Sequence, residues 1–168
     1  SFFVTAGPQD CKVMSDTKKP ADENEENRAQ ITQRTIDAPV ECVFSAFRNP
    51  EQFARWWGPD GFTNSFREFD LRVGGYWRFT MHGPDGRDYP NESCFLEVIE
   101  NERVVIEHFS GHHFILTITF SRNGNTTIVG WRQLFDTVEH YRRIADFVSQ
   151  ANEQNLNRLE AEVLGAKK

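Results

Sequence analysis

No uninterrupted apolar stretch in these 168 residues approaches the ~20 that a membrane-spanning helix requires, so membrane insertion is not expected. Basic charge is also short: 19 Lys and Arg stand against 25 Asp and Glu, a formal net charge of -6. Phosphate backbones demand a basic footprint, which argues against nucleic acid as a partner. Lys167–Lys168 is too brief a basic run to hold anionic lipid. The opening Ser1–Phe2–Phe3–Val4 is too short for a signal-peptide core and has no basic region before it. Cysteine is sparse and odd in number (Cys11, Cys42, Cys94), with no spacing that suggests a metal knuckle. Such usage fits a reduced cytoplasm, and no cofactor or metal is expected.

Large rings are what the chain has in quantity, with 15 Phe and 4 Trp in a hydrophobic fraction of 38%. Each buries much area, so the expected core is built from few, bulky pieces. The length suits one domain able to bury such a core. Residues 1–30 differ: after Phe3 they are polar, turning acidic from Asp22, and disorder is expected there. Met14 followed by Ser-Asp-Thr-Lys-Lys resembles a natural start, which marks Ser1–Val13 as an upstream extension.

The folded part is expected over 31–165. Ile31–Ile36 reads as a strand, and Pro39 suits the first turn of a helix. Val40, Val43, Phe44 and Phe47 follow at i, i+3, i+4 and i+7, a one-sided helical stripe. Asn49–Pro50 ends it, and a second short helix carries Phe53, Trp56 and Trp57 up to Gly58–Pro59. From Phe62 the period becomes two. Strands are expected over 62–71, 76–82, 93–99, 103–109, 113–121 and 126–135, with Asn123–Gly124 as a two-residue hairpin connection. Asp136 and Glu139 then form a capping-box pattern. The helix they open runs to about Leu164, with Val138, Tyr141, Ala145, Val148, Asn152, Asn155, Leu159 and Val163 as its stripe. A lone sheet of this size must cover its apolar face, and this helix is the cover. The fold class is therefore α+β of the helix-grip type: a curved antiparallel sheet of six or seven strands around a long C-terminal helix, with two short helices after the first strand.

The order of elements and several short motifs resemble the START-like (SRPBCC) superfamily, which includes the birch-pollen-allergen-like proteins. Within it the chain is most similar to homologues of the activator of the heat-shock-protein-90 ATPase. The motifs are the helix Ala38–Phe47, Pro50-Glu51 leading to Trp56-Trp57-Gly58-Pro59, Gly74-Gly75, Pro84-Asp85-Gly86, Phe95 to Ile99 with Glu97 inside, and Asn155-Leu156-Asn157-Arg158-Leu159. The resemblance implies a fold and no fixed reaction. Superfamily members bind lipids, hormones or polyketides, and some cyclise or dehydrate them. Chaperone activators of the family carry a further N-terminal domain for their partner, for which this chain has no room.

The leading expectation is thus a pocket for a small hydrophobic molecule, lipid or polyketide-like, between sheet and long helix. An empty ~300 Å³ there would cost about 7 kcal/mol, comparable to the stability of a whole domain, so a retained cavity implies a use. Alternation places Phe62, Phe66, Trp77, Phe79 and Met81 inward, followed by Leu96, Val98, Val104 and Ile106. Phe114, Leu116 and Ile118 continue that face, then Val129, Trp131 and Phe135, with Phe147, Val148 and Ala151 of the long helix opposite. His108 and Gln133 interrupt these apolar faces and are the expected polar contacts of a ligand. The pocket set comprises Phe66, Trp77, Phe79, Met81, Leu96, Ile106, His108, Phe114, Leu116, Trp131, Gln133, Phe147 and Ala151. Trp56 and Trp57, adjacent in one short helix, cannot both face its core, so one is expected as a gate or an exposed docking site, or else as a ring covering the sheet edge. That second role fits a chaperone partner, as in a co-chaperone or stress-response protein. A third reading, an enzyme of cyclase or dehydratase type with His108 as acid or base, stands last. Cys94 and His108 are possible neighbours across paired strands but lack a third group. His82 and His140 stand alone in the sequence, and His112–His113 lie in a turn.

Overall fold

The change of hydrophobic period near residue 62 is the junction between two short helices and most of a seven-stranded sheet. The computed structural model describes residues 25–166. After a 3-10 turn at Glu26–Arg28 come β1 (Ala29–Ile36), α1 (Val40–Arg48), α2 (Pro50–Trp56), β2 (Thr63–Phe69), β3 (Tyr76–His82) and β4 (Asp88–Ile99). β5 (Arg103–His108), β6 (Phe114–Asn123), β7 (Thr126–Phe135) and α3 (Val138–Ala166) follow. The strands are antiparallel in the order β1-β7-β6-β5-β4-β3-β2. α1 and α2 pack together at one end, and α3 lies against the sheet and both short helices. This is the helix-grip arrangement.

The stripe of α1 is buried as its spacing dictates: Val40, Val43, Phe44 and Phe47 are all in the core. Asn49 ends α1 and starts α2. Its side-chain oxygen accepts from the Glu51 and Gln52 amides at 3.0 and 3.1 Å, with Pro50 as the first helical residue. Phe53 then sits at the centre of an aromatic cluster, stacked on Trp56 at 5.0 Å and against Trp77 at 4.6 Å. Gly75 is required by close approach, since a Cβ there would lie 2.0 Å from the Asp70 carbonyl oxygen.

Several boundaries differ from the sequence reading, each for a local reason. β1 starts at Ala29, and Glu25 already pairs with Arg132 of β7 at 3.0 Å, so residues 25–30 fold with the sheet. The rest of the expected disordered extension, 1–24, lies outside the described residues. β4 begins at Asp88, not Ser93, because Asp88–Ser93 pairs with β3. Pro90 is tolerated there because pairing with β5 begins only at Ser93, leaving that edge open. The capping residue of α3 is Thr137, whose hydroxyl accepts from the His140 amide at 3.1 Å, while Asp136 bonds His113. Gly165 does not end α3, which continues to Ala166.

A bulge in β4 overturns one inward assignment. Phe95 pairs with Ile106 and Glu97 with Val105, so Leu96 is the unpaired extra residue. Phe95 belongs to the main core and Leu96 to a small second cluster with Cys94 and Val105. Strict alternation from Val98 back to Leu96 fails across that extra residue. Glu97 accepts from Arg103 at the surface.

Phe53→Ala removes a fully buried ring with six aromatic neighbours. It should lower the unfolding free energy by about 3–5 kcal/mol in denaturant titration. Ile31→Ala, at a position 61% exposed, should change it by no more than about 0.5 kcal/mol.

Candidate functional site

The two halves of α3 meet the rest of the molecule differently. Leu156, Leu159 and Val163 in its C-terminal half are fully buried in the core. In its N-terminal half Phe147 is 71% exposed, and it lines, with Ala151 and Asn152, a cavity of about 730 Å³ between helix and sheet. Trp57, Trp77, Phe79, Ile106, Leu116 and Trp131 form the apolar wall. The mouth lies where exposed Asp60, Tyr89, Gly111 and His112 join Phe147.

Polar groups reach this space in two places. On the β7–α3 side the Gln133 side-chain carbonyl accepts from the Asn152 amide at 3.0 Å, and both residues are buried. On the β4–β5 side Ser93 lies opposite His108, close to Asn91 and Ser110. The His108 ring is stacked on Phe114 at 4.4 Å. Its Nδ1 is 2.7 Å from the His112 carbonyl oxygen, which only accepts, so Nδ1 carries a proton. Burial, partly offset by that hydrogen bond, pushes the His108 pKa below its ordinary value of 6.5, so the ring is neutral at pH 7 and Nε2 is an acceptor. Nε2 lies 2.7 Å from Asn91 Oδ1, while Asn91 Nδ2 donates to the Tyr89 carbonyl at 2.8 Å. A neutral ring therefore leaves one of those two Asn91 contacts acceptor against acceptor, whichever way the amide is turned. Ser110 Oγ, which accepts from the Glu92 amide at 2.8 Å, lies 3.4 Å from Nε2 with its proton free to donate there.

The remaining wall is the loop after α2, and Arg158 of α3 fixes it. Its Nη1 donates to the carbonyl oxygens of Trp57, Gly58 and Pro59, each at 2.9 Å, and Nη2 to those of Arg55 and Phe62 at 2.8 Å. Asn155 accepts from the Gly58 amide at 3.2 Å, and Asn64 donates to the Ala54 and Trp57 carbonyls. Gly58 has φ +98°, and a Cβ there would lie 2.8 Å from the Met81 side chain, so only glycine fits.

Both tryptophans of the α2 motif are buried, which removes the exposed-docking version of the expectation, while Trp57 does line the cavity. Trp56 is the last residue of α2 and donates from Nε1 to the Ala46 carbonyl at 2.9 Å. Trp57 is past the helix, with φ -66° and ψ 136°, and this extended backbone turns its ring into the cavity wall. The docking patch proposed at this pair is absent.

Of the thirteen residues assigned to the pocket, Trp77, Phe79, Met81, Ile106, His108, Phe114, Leu116, Trp131, Gln133, Phe147 and Ala151 line the cavity. Leu96 does not, because of the bulge. Phe66 packs behind the wall against Phe53, Trp77 and Phe79. Sequence reasoning missed Asn91, hidden by the misplaced start of β4, and also Ser93 and Ser110, at the expected start of β4 and just past β5. Asn152 and Asn155 had a visible signal, two amides inside an apolar stripe. Cys94 and His108 are not a pair: Cys94 is opposite Glu107, and His108 is opposite Ser93, on the other face. His82 is not isolated, lying between Ser65 Oγ at 2.8 Å and Asp88 Oδ1 at 2.7 Å, on the surface and outside the cavity lining. His140 stacks on His112 at 4.9 Å. Among the described residues no cluster of His, Cys, Asp and Glu is arranged to hold a metal, and no helix is long and apolar enough to cross a membrane.

Residues 37–163 match the family described as Activator of Hsp90 ATPase homolog 1-like protein. The chain belongs to that family. Solved structures share the fold at low identity. A protein of Nitrosomonas europaea is 21% identical with a TM-score of 0.77, covering 84% of this chain and 97% of that one. One from Arthrobacter aurescens is 20% identical with a TM-score of 0.77, covering 86% and 90%. The AHSA1-like protein from Aeromonas hydrophila is 20% identical with a TM-score of 0.63, covering 82% and 94%. No curated protein matches this member of the family.

Two outcomes follow from the site's geometry. Because the folded pKa of His108 lies below 6.5, the unfolded chain takes up a proton that the folded one refuses. Its contribution to stability is flat above about pH 7, declines as pH falls through 6.5, and levels off below the folded pKa; His108→Gln should remove that component from denaturation measured between pH 7.5 and 5. Arg158→Met leaves the loop carbonyls without their donor and should cost about 1–3 kcal/mol. Amide exchange should then quicken at Gly58 ahead of β5 and β6.

Proposed function

We propose that this protein binds a small, mostly apolar molecule in the cavity between α3 and the sheet, and does so without transforming it. The observation that carries the reading is the cavity itself. It holds about 730 Å³, opens to solvent beside Phe147, and keeps apolar side chains against water that a guest would displace. Fifteen Phe and four Trp were available to fill it, yet Phe147 is turned to the rim. A space of this size, apolar with a few convergent polar groups, has the character of a ligand site. Trp77, Phe79, Ile106, Leu116 and Trp131 supply the apolar contact, and His108 and Gln133 the polar contacts that orient the guest. Met81, Phe114 and Ala151 complete the surround, Trp57 belongs to the apolar wall, and Phe147 flanks the entrance.

The family's description points to a chaperone partner as well. Of the two contacts that reading would use, the apolar patch at Trp56 and Trp57 is buried, which leaves acidic contacts to a basic partner, and the cavity has the stronger support. A cyclase or dehydratase would need a second proton-transferring group beside His108. Asn91, Ser93 and Ser110 do not titrate near neutral pH.

Thermal-shift and NMR titrations with fatty acids, sterols and aromatic polyketide-like compounds test the proposal. A ligand at 100 times its Kd should raise the Tm by roughly 5–10 °C. It should also move the amide signals of Ser93, His108, Gln133 and Ala151. No stabilisation and no shift at these residues across the whole panel would remove it.

A further inference from the structure

The two faces of the sheet are covered by different means. α1, α2 and α3 pack on the face that carries Trp77, Ile106 and Trp131. The opposite face holds a smaller apolar cluster of Cys94, Leu96 and Val105, flanked by Tyr76 and Ile115, and among the described residues only strands contribute to it. A bare antiparallel sheet face leaves its side chains partly in water. Cys94, Leu96 and Val105 are only 1%, 4% and 3% exposed. A further part of the chain therefore lies over them.

The point where the described chain begins indicates which part. Glu25 pairs with Arg132 of β7 at 3.0 Å. Arg132 stands opposite Thr117 of β6, and Thr117 opposite Val105 of β5, so the three side chains share one face, that of the Cys94 cluster. The chain thus enters the described fold on this face. Neighbouring strands lie ~4.8 Å apart, which puts Leu96 of β4 about 15 Å across the sheet from Arg132. The chain between Cys11 and Glu25 reaches up to about 50 Å when extended. Val13 and Met14, beside Cys11, are apolar and suited to cover Leu96 and Val105.

Sulfur chemistry fixes the point of contact. Cys94 Sγ belongs to a disulfide. Cys42 is exposed and free. Cys11 is the one other cysteine of the sequence. An odd count, which suggested a reduced compartment, is equally one bonded pair and one spare thiol.

We infer that Cys11 is the partner of Cys94, and that residues 11–24 form a redox-dependent strap over the sheet face behind the cavity. Forming the bond removes two protons and two electrons from the two thiols. Glutathione disulfide is an oxidant of the class required: one cysteine thiolate attacks it and releases one glutathione, and the second cysteine then displaces the other. Cys94 adjoins Ser93, which lines the cavity opposite His108, so the strap backs the polar wall of the site. It also gives residues ahead of Met14 a task in the folded protein.

The full chain is equilibrated with glutathione disulfide, its free thiols are blocked with N-ethylmaleimide, and it is digested with trypsin without reduction. Mass spectrometry should find peptide 1–12 joined to peptide 88–103, with the maleimide on Cys42 in peptide 35–48. Dithiothreitol should separate the pair and lower the Tm by roughly 5–15 °C. Cys11→Ser should melt at the reduced temperature with or without dithiothreitol, and Cys42→Ser should behave as the wild type. That comparison leaves the buried Cys94 in place, so it does not hang on a variant that fails to fold. Maleimide on both Cys11 and Cys94 after oxidation overturns the inference, as does a link through Cys42 or a disulfide-bonded dimer on a non-reducing gel. A Cys11→Ser protein that melts like the oxidised wild type overturns it too.

Discussion

One guanidinium organises the region around which the site is built. Arg158 donates to the carbonyls of Arg55, Trp57, Gly58, Pro59 and Phe62, so a single side chain gathers the end of α2 and the loop leading to β2 onto α3. A loop of this kind has carbonyls that no strand or helix ladder satisfies, and this side chain supplies their donors. The planar fork of five donors suits that task, where an ammonium would serve fewer acceptors at once. Trp57 takes its place in the cavity wall because its own carbonyl is held this way. The ion pairs of α3 with β1 and α2, Arg34 with Glu153 and Glu160, and Arg55 with Glu162, are more exposed and contribute less.

The two halves of α3 are held by different means. Leu156, Leu159 and Val163 of the C-terminal half belong to the core that includes the aromatic cluster around Phe53. Beyond Asn152 toward the helix start, Val148 is buried, and Tyr141 stacks on Phe135 of β7 at 5.7 Å and donates to Gln30 of β1 at 2.8 Å. Between these two anchors the large ring of Phe147 points outward, and the cavity lies there. The polar strip of His108, Asn91 and Ser110 lines the same space.

Most of the fold was legible in the sequence because the two periodicities are clean. The i, i+3, i+4, i+7 pattern from Val40 to Phe47, and the alternation from Phe114 to Phe120, each admit one burial pattern. What failed had a common cause: a residue count that pattern reading cannot see. The extra residue at Leu96 shifts the face of part of β4, and the change of backbone from helical at Trp56 to extended at Trp57 lets two adjacent rings both point inward. Asp88–Glu92 was missed because a proline among three polar residues does not look like a strand, and the open edge that accommodates Pro90 exists only in the sheet. With that segment went Asn91.

The cavity wall was read more successfully than its polar groups, and the physics explains why. An apolar wall residue is specified by its own strand's alternation, a local property. A polar contact such as Gln133 with Asn152, or His108 with Asn91 and the His112 carbonyl, is specified by which elements meet, a non-local one. The indole donors of Trp77 and Trp131 are the extreme case. In the sequence they are simply large inward-facing rings, and only packing shows that their N–H groups were left without acceptors. Those N–H groups are closed off inside the aromatic packing, and what each position uses is the area of the ring, set against Trp57 on both sides.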